Sequence, residues 1–168
     1  NGTLYLPVNN SYVNNTVQNL SVNATDNLGL SNATLYVWNA TAQINVANQT
    51  ASGTTALVGI IYSFLYDGIF KWFYRIVDSA NNVFVTENNT ITVDSVFPAL
   101  VITSPTVINY SYNHSINVNY TVSDLNLQAC WYSVDGGANQ SFTCGLNTTV
   151  NVSEGSHTLM AYANDSAG

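Results

Sequence analysis

The sequence predicts an all-β protein made of two tandem antiparallel β-sandwiches. Along Gln18 to Asp26, the residues Leu20, Val22 and Ala24 alternate with polar residues, which is the period of a strand with one buried and one wet face. The pattern returns about ninety residues later at Ser115 to Asp124, again ending on an aspartate. No stretch has helical periodicity, and clusters of Asn, Gly, Asp and Ser separate the alternating segments. A repeat of short strands favours two small sandwiches over one large domain.

The first unit is predicted to span residues 1–96. Its apolar run from Ala56 to Val77 is interrupted by Asp67-Gly68 and carries Lys71 and Arg75 in its second half, which argues against a membrane span. We interpret this run as two strands joined by a turn. The expected strands are Thr3 to Leu6 with a continuation near Tyr12, Val17 to Thr25, Ala33 to Asn39, Gln43 to Val46, Thr55 to Leu65, Ile69 to Val77 and Val83 to Val93.

The second unit is predicted to span residues 97–168 and to repeat the same order of strands. Each unit has an acidic residue and a glycine before a strand, at Asp67-Gly68 and Glu154-Gly155, and each of these strands is followed by Asp-Ser-Ala. The expected strands are Ala99 to Thr103, Ser115 to Ser123, Gln128 to Val134, Ser141 to Cys144, Thr148 to Val152 and Ser156 to Ala163.

The end of the second unit predicts an open sheet edge. After Asp78-Ser79-Ala80 the first unit continues into Val83 to Val93, whereas the matching turn at Asp165-Ser166-Ala167 is followed only by Gly168. We therefore expect the second sandwich to lack its closing strand, unless the natural chain continues or a neighbouring molecule supplies a strand by β-augmentation.

The charge balance excludes two classes of partner. Lys71 and Arg75 are the only basic side chains beside histidine, against nine acidic residues, and the net charge is −7. Nucleic acids and anionic membranes require clustered basic residues, so we expect neither as a partner. Charged residues make up only 7% of the chain, so we expect hydration to come from Asn, Ser and Thr and from attached sugars.

Glycosylation sequons are strongly over-represented. Twenty-five Asn and thirty-four Ser plus Thr predict roughly five N-x-[ST] sequons by chance, yet sixteen are present. One reading is that an Asn- and Thr-rich β-protein collects sequons by composition; the threefold excess favours heavy N-glycosylation outside the cytoplasm. The sequon asparagines are Asn1, Asn9, Asn14, Asn19, Asn23, Asn32, Asn39, Asn48, Asn88, Asn109, Asn113, Asn119, Asn139, Asn147, Asn151 and Asn164.

The two cysteines predict a disulfide. Cys130 and Cys144 flank the turn Asp135-Gly136-Gly137, so a hairpin would bring them together, and a metal site would need more ligands. A disulfide agrees with an oxidising exterior. The chain opens on Asn-Gly-Thr without a signal-peptide pattern, so we expect a mature or excised segment.

Catalysis and metal binding have little support in the sequence. His114 lies inside a sequon and His157 opens a strand, so neither forms an obvious nucleophile–base arrangement, and no cofactor is expected. Four aspartates end strands and could hold Ca²⁺ in pairs, but capping of their own turns is the favoured reading. These aspartates are Asp26, Asp78, Asp124 and Asp165.

The aromatic residues fall into two predicted groups. If Ala33, Leu35 and Val37 point inward, alternation places Tyr36 and Trp38 on the outer face, where they could stack on glycans or on an adjacent subunit. Core packing is the favoured reading for three others, and Trp131 could lie on either side. The three expected in the core are Trp72, Tyr74 and Tyr120.

Five stretches resemble the tandem immunoglobulin-like, fibronectin type III-like modules of archaeal and related microbial surface proteins. They are LPVNNSYVNN at Leu6 to Asn15, DNLGLSNATLY at Asp26 to Tyr36, ENNTITVD at Glu87 to Asp94, CWYSVDGG at Cys130 to Gly137 and EGSHTLMAYANDSAG at Glu154 to Gly168. The resemblance implies the fold more than the function, because such modules serve as stalks, adhesins, surface-layer parts and filament subunits. The second unit departs from the family by lacking the closing strand, and Ala33 is the expected counterpart of Cys130.

Together these features predict a non-enzymatic structural subunit of a heavily N-glycosylated extracellular filament. Its expected partners are copies of itself or adjoining tandem domains, joined by strand complementation or end-to-end contacts. One alternative is a stalk or surface-layer segment of a longer tandem-domain protein. Another is a carbohydrate-binding accessory module that uses exposed Tyr and Trp side chains.

Overall fold

The chain folds into β-strands and connecting segments, as the sequence predicts. In a computed structural model, which describes residues 1–168, the chain divides into two compact units, Asn1–Ser95 and Val96–Ser166. No helix in the structure has the length and apolar character needed to span a bilayer. The apolar run from Ala56 to Val77 forms two strands joined by a turn, as expected.

Unit 1 is a sandwich of two sheets. Its strands are β1 (Gly2–Leu4), β2 (Ser11–Val13), β3 (Val17–Thr25), β4 (Leu30–Trp38), β5 (Gln43–Thr50), β6 (Thr55–Ser63), β7 (Gly68–Asp78), β8 (Val83–Val85) and β9 (Asn89–Val93). One sheet has the order β1-β3-β6, and the other has the order β2-β9-β7-β4-β5 with β8 also paired to β7. All pairs are antiparallel except β2 with β9, which is parallel.

The core of unit 1 follows from strand alternation. Leu20, Val22 and Ala24 on β3 are fully buried, and Ala33, Leu35 and Val37 on β4 face them from the other sheet. Large aromatic side chains fill the rest of the space between the sheets, and they include the predicted core residues of β7. The largest fully buried side chains are Trp72, Tyr74, Phe70, Leu20, Leu35 and Ile91.

Two strand predictions in unit 1 need correction. Val83 to Val93 is not one strand, because the buried Thr86 interrupts it between β8 and β9. Thr86 N–H donates to the Tyr74 carbonyl (2.9 Å), and Thr86 Oγ1 accepts from Tyr74 N–H (3.0 Å). The predicted first strand and its continuation lie in different sheets, because the chain crosses over after the cis peptide bond Leu6-Pro7.

Unit 2 is a smaller sandwich of two three-stranded sheets. Its strands are β10 (Ala99–Ser104), β11 (Ile116–Ser123), β12 (Leu127–Val134), β13 (Gln140–Phe142), β14 (Thr148–Val150) and β15 (Leu159–Asp165). The sheets have the orders β10-β11-β14 and β13-β12-β15. Ile116, Val118 and Val150 form its buried hydrophobic cluster. The last strand begins at Leu159 and not at Ser156 as predicted.

The pairing registers show that unit 2 repeats unit 1. Ala33 pairs with Ile76 as Cys130 pairs with Ala163, which confirms the predicted correspondence of Ala33 and Cys130. Both pairs of strands also shift register near one end, beside the pairs Leu30↔Asp78 and Leu127↔Asp165. A second cis peptide bond, Ser104-Pro105, follows β10 as Leu6-Pro7 follows β1. The registers identify the unit 1 counterparts of the residues in the paired strands of unit 2.

Candidate functional site

The edge strand β15 distinguishes unit 2 from unit 1. β7 pairs with β4 on one edge and with β8 and β9 on the other, whereas β15 pairs with β12 and has no strand on its other edge. The counterpart of Gly68–Lys71 is the segment 155–158, which is not a strand. In unit 1, most of Gly68–Lys71 pairs with β9 alone. Unit 2 has no strand in the position of β9, and this explains why β15 starts four residues later than β7 does in the aligned numbering.

A cavity of about 1230 Å³ opens beside this edge. Ile102, Ile116, Val134, Val150 and Leu159 line it from the strands, together with segments 105–113 and 152–158. In unit 1 the corresponding region contains large side chains and strand β9. Phe64, Phe70 and Trp72 are buried there, where unit 2 has Val152, His157 and Leu159, and β9 adds Ile91 and Val93.

The segment 106–113 forms the other wall of the cavity. It follows Pro105 as β2 and its preceding turn follow Pro7 in unit 1, but it contains no strand. In unit 1, β9 lies between β7 and β2 and pairs with both. Unit 2 thus has a counterpart of β7, in β15 and the residues before it, and a counterpart of β2, in segment 106–113, but no strand lies between them. We call this region, segments 105–113 and 155–159 with the cavity between them, the acceptor groove.

An ion pair holds one wall of the acceptor groove. His157 Nδ1 lies 2.6 Å from Asp135 Oδ2, and Asp135 Oδ1 accepts a hydrogen bond from Thr158 N–H at 2.7 Å. The hydrogen bond from Asp135 raises the pKa of His157, and the same contact with the imidazole lowers the pKa of Asp135. This contact ties the segment before β15 to the β12–β13 turn. The sequence did not predict it, because the partners lie 22 residues apart.

Ser153, His157 and Asp135 have the residue types of a hydrolytic triad, but their geometry is structural. His157 Nε2 lies 3.0 Å from the Ser153 carbonyl oxygen and 3.4 Å from Ser153 Oγ. Because the carbonyl can only accept, Nε2 donates in this contact. A ring nitrogen that donates to a carbonyl is not placed to take the proton of a serine hydroxyl. We therefore assign these three residues to holding the loop.

The structure places every predicted sequon asparagine at the surface or at its margin. None of the sixteen is buried. Eleven are exposed: Asn1, Asn9, Asn14, Asn19, Asn23, Asn48, Asn88, Asn109, Asn139, Asn147 and Asn151. Five are half-buried: Asn32, Asn39, Asn113, Asn119 and Asn164. Asn39 also stabilises a turn, because its Oδ1 accepts from Thr41 and Ala42 N–H. Its Nδ2, the atom that would carry an N-linked sugar, donates to the Tyr66 hydroxyl at 2.8 Å.

One expectation about the sequons is wrong. Ser21, the hydroxyl residue of the Asn19 sequon, is not exposed on the wet face of β3 and retains 3% of its accessible surface. The segment after β1 covers it: Leu6 N–H donates to Ser21 Oγ, and the hydroxyl donates to the Leu6 carbonyl, both at 3.1 Å. The counterpart hydroxyl of the Asn23 sequon, Thr25, is exposed.

The four strand-ending aspartates cap their own turns. Asp26 Oδ1 accepts from Leu28 and Gly29 N–H, and these bonds, with the Gly29 bond strongest, lower the pKa of Asp26. Asp78 Oδ1 accepts from the N–H groups of residues 80 and 82. Asp124 and Asp165 each accept one such bond at 2.7 Å, from residues 126 and 168. These hydrogen bonds are the turn-capping contacts that the sequence favoured.

Cys130 and Cys144 form a disulfide with a Cα–Cα distance of 5.3 Å. Cys130 lies on β12 opposite Phe142 of β13, and Cys144 lies two residues beyond, so the bond fastens one hairpin. The cysteine of β12 is buried. The bond therefore staples an edge of the sheet that contains β15.

The exposed aromatic residues lie where alternation predicts. Tyr36 stacks on Phe73 across β4 and β7, with ring centroids 5.0 Å apart, and Trp38 retains 39% of its accessible surface. Trp131 faces outward and stacks on Tyr162 of β15. Tyr120 is buried in unit 2, as expected.

Comparison with solved structures agrees with this architecture. The chain is similar to the fibronectin(III)-like modules of Clostridium thermocellum CbhA, with 20% identity and a TM-score of 0.54 over 99% of this chain and 88% of that chain. The fold is fibronectin(III)-like. No family model and no curated protein matches the sequence. At this identity the likeness establishes the fold alone.

Proposed function

We propose that this chain is a non-catalytic, N-glycosylated structural subunit of an extracellular filament, and that its second sandwich is completed by a β-strand from a neighbouring molecule. The observation that carries the proposal is the acceptor groove. An unpaired strand edge beside a cavity lined in part by Ile, Val and Leu side chains is what β-augmentation requires, since the edge supplies hydrogen bonds and the cavity accepts side chains.

The register of unit 1 indicates how such a strand would bind. β9 pairs antiparallel with Gly68–Trp72, with Ile91 opposite Phe70 and Val93 opposite Gly68. A strand in the groove would pair in the same way with residues 155–159, so its third and fifth residues would lie opposite His157 and Gly155. Apolar residues at these two positions would enter the cavity, as Ile91 and Val93 enter the core of unit 1.

The proposal is tested by supplying the strand. A copy of the sequence Asn81–Asp94, appended after Gly168, is expected to raise the unfolding midpoint of unit 2 and to protect the amide protons of Leu159 and Ala161, which face the free edge, from exchange. The control carries the same extension with Ile91→Asp and Val93→Asp in the copy. Equal midpoints and exchange rates for the extended, control and unextended proteins would remove the basis for an acceptor groove.

A stalk segment of a longer protein is the second candidate. It is favoured by the turn at Asp165-Ser166-Ala167, because the matching turn of unit 1 leads into β8 and β9 of the same chain. Sedimentation of the protein purified from its source separates the two. Concentration-dependent polymers that dissociate on adding the β9-sequence peptide support the filament, whereas a single long monomer supports the stalk.

The glycoprotein part of the proposal has its own measurement. The excess of sequons and the surface position of their asparagines support it. Intact mass before and after chemical deglycosylation is expected to fall by several glycan masses. An unchanged mass would eliminate glycosylation and leave the structural role to be judged by the strand experiment.

A further inference from the structure

Strand β6 of unit 1 is an unprotected sheet edge. It is nine residues long, pairs with β3 on one side and has no strand on the other. It contains no charged residue and no proline, and its pairing with β3 runs from Val17↔Ser63 to Thr25↔Thr55 without a register shift. Short length, Lys, Pro and bulges are the usual means of preventing a free edge from pairing with another molecule. β6 has none of them.

The same strand also exposes apolar side chains. Alternation buries Val58 against the core and turns Leu57 and Ile61 outward, where they retain 62% and 74% of their accessible surface. An edge that offers both free hydrogen-bonding groups and exposed aliphatic side chains favours association with a second β-strand.

Two sequon asparagines lie directly beside these side chains. On β3, Asn23 is the register partner of Leu57, and Asn19 is the register partner of Ile61. Register partners of adjacent strands project from the same face, with Cβ atoms about 5 Å apart. Both asparagines are exposed. A sugar on either Nδ2 therefore starts on the face that holds Leu57 and Ile61.

Gly59, midway between Leu57 and Ile61, strengthens this arrangement. A Cβ atom added at Gly59 would lie 2.5 Å from Oδ1 and 3.0 Å from Nδ2 of Asn19, so the amide of Asn19 lies directly over the glycine. Glycine in a strand interior often marks a place where another group approaches the backbone. Here it brings the glycan-bearing atom into the gap between the two exposed aliphatic side chains.

We propose that N-linked glycans on Asn19 and Asn23 cover Leu57 and Ile61 and block the free edge of β6, so that modification performs the role that charged residues have at other edges. The inference rests on the proposed glycosylation. The C–H faces of the sugar rings pack on the aliphatic side chains and remove apolar surface from water, while their hydroxyls stay hydrated. Because β6 lies only about 4.8 Å from β3, a glycan on β3 extends across β6 and beyond its edge.

The test compares matched glycosylation variants of the protein made in a glycosylating host. Asn19→Gln with Asn23→Gln removes the two sugars beside β6, and Asn139→Gln with Asn147→Gln removes two exposed sequons elsewhere. We expect the first variant to self-associate, by light scattering, at a concentration at least tenfold lower than the unmodified sequence and the control. Adding Leu57→Thr and Ile61→Thr to the first variant is expected to restore the original threshold.

A second variant tests whether misfolding, and not the loss of the sugars, causes the association. Thr25→Ala removes the Asn23 sequon and leaves both asparagines in place, and it is expected to lower the threshold in the same direction by a smaller factor. Site-resolved mass analysis separates the two proposals. Glycans on Asn19 and Asn23 with unchanged association after their removal, or association that Leu57→Thr and Ile61→Thr do not reverse, would overturn the inference and leave glycosylation standing. Unmodified Asn19 and Asn23 in a protein that carries glycans at other sequons would also overturn the inference and leave glycosylation standing. Absence of glycans from every sequon would overturn both the inference and the proposed glycosylation.

Discussion

Unit 1 and unit 2 share one pairing register and differ in how the space between their sheets is filled. Unit 1 closes its larger sheet with β9 and buries Phe70, Trp72 and Tyr74. Unit 2 has smaller side chains at the matching positions of β15, and its sheet stops at that strand. The difference shows that the same alternation can occur in a filled and in an incompletely filled sandwich. Filling and closing the sandwich requires side-chain volume and a partner strand as well.

The largest expected contrast comes from truncating the same position in both units. Trp72→Ala removes a fully buried side chain and should lower the free energy of unfolding of unit 1 by about 3–5 kcal/mol. Leu159→Ala, at the matching position of unit 2, removes a half-buried side chain that lines the cavity and should cost about 1 kcal/mol. Urea unfolding followed by the indole N–H resonances of Trp38 and Trp131 reports the two units separately. Equal costs would show that the two cores are equivalently packed.

Removing the disulfide should affect unit 2 alone. Cys130→Ala with Cys144→Ala opens a loop of sequence separation 14 and should destabilise unit 2 by about 3 kcal/mol in the chain-entropy model. The midpoint of unit 1 serves as the internal control in the same calorimetric scan. A loss shared by both units would contradict their independence.

Buried tyrosine hydroxyls give a smaller contrast. Tyr74 O–H donates to the Leu20 carbonyl at 2.7 Å inside the core of unit 1, and burial raises the pKa of Tyr74. Tyr74→Phe removes this buried hydrogen bond and should cost about 1 kcal/mol. Tyr120→Phe breaks a longer and partly buried bond to the Thr143 carbonyl in unit 2, at 3.1 Å, and should cost less. Chemical denaturation of the two variants measures the difference, and a larger loss for Tyr120→Phe would reverse it.

The smallest expected effect is a pH dependence confined to unit 2. The contact with Asp135 raises the pKa of His157 above 6.5, so its stabilisation is complete below pH 6.5 and is lost as the pH rises through the folded-state pKa. The lowered pKa of Asp135 gives a contribution that is present above about pH 3.8 and is lost as the pH falls further. The unfolding midpoint of unit 2 should therefore decline slightly above pH 6.5. His157→Gln should abolish that decline, and a decline that persists in this variant would assign it to another group.

Much of the fold could be predicted because strand alternation is local. β3 was predicted at its observed bounds, and the hairpin around Asp135-Gly136-Gly137 joins β12 and β13 as expected. The break at Thr86 could not be predicted, because it depends on hydrogen bonds to Tyr74, twelve residues away in sequence. The late start of β15 likewise follows from the absence of a strand on its outer edge, which is not a local property of its sequence.

The candidate site was only partly predictable. The sequence indicated an open edge through the repeat, but the cavity beside it depends on side-chain volumes at aligned positions. A signal was present in the two prolines, since Pro7 and Pro105 mark matching points and the segments after them differ in strand content. The burial of Ser21 could not be predicted from alternation, because the segment after β1 covers this part of the solvent-facing side of β3.

The parallel pair β2 and β9 has a mechanical consequence for a chain that carries tension. A pull applied before Ser11 and after Val93 displaces the two strands along their axes in opposite directions, so their three residue pairs are sheared together. Shearing a set of bonds at once demands more force than peeling them one after another. The corresponding segment of unit 2 has no such parallel partner within the chain. Without a strand from a neighbour, unit 2 should therefore extend first under load while unit 1 stays folded.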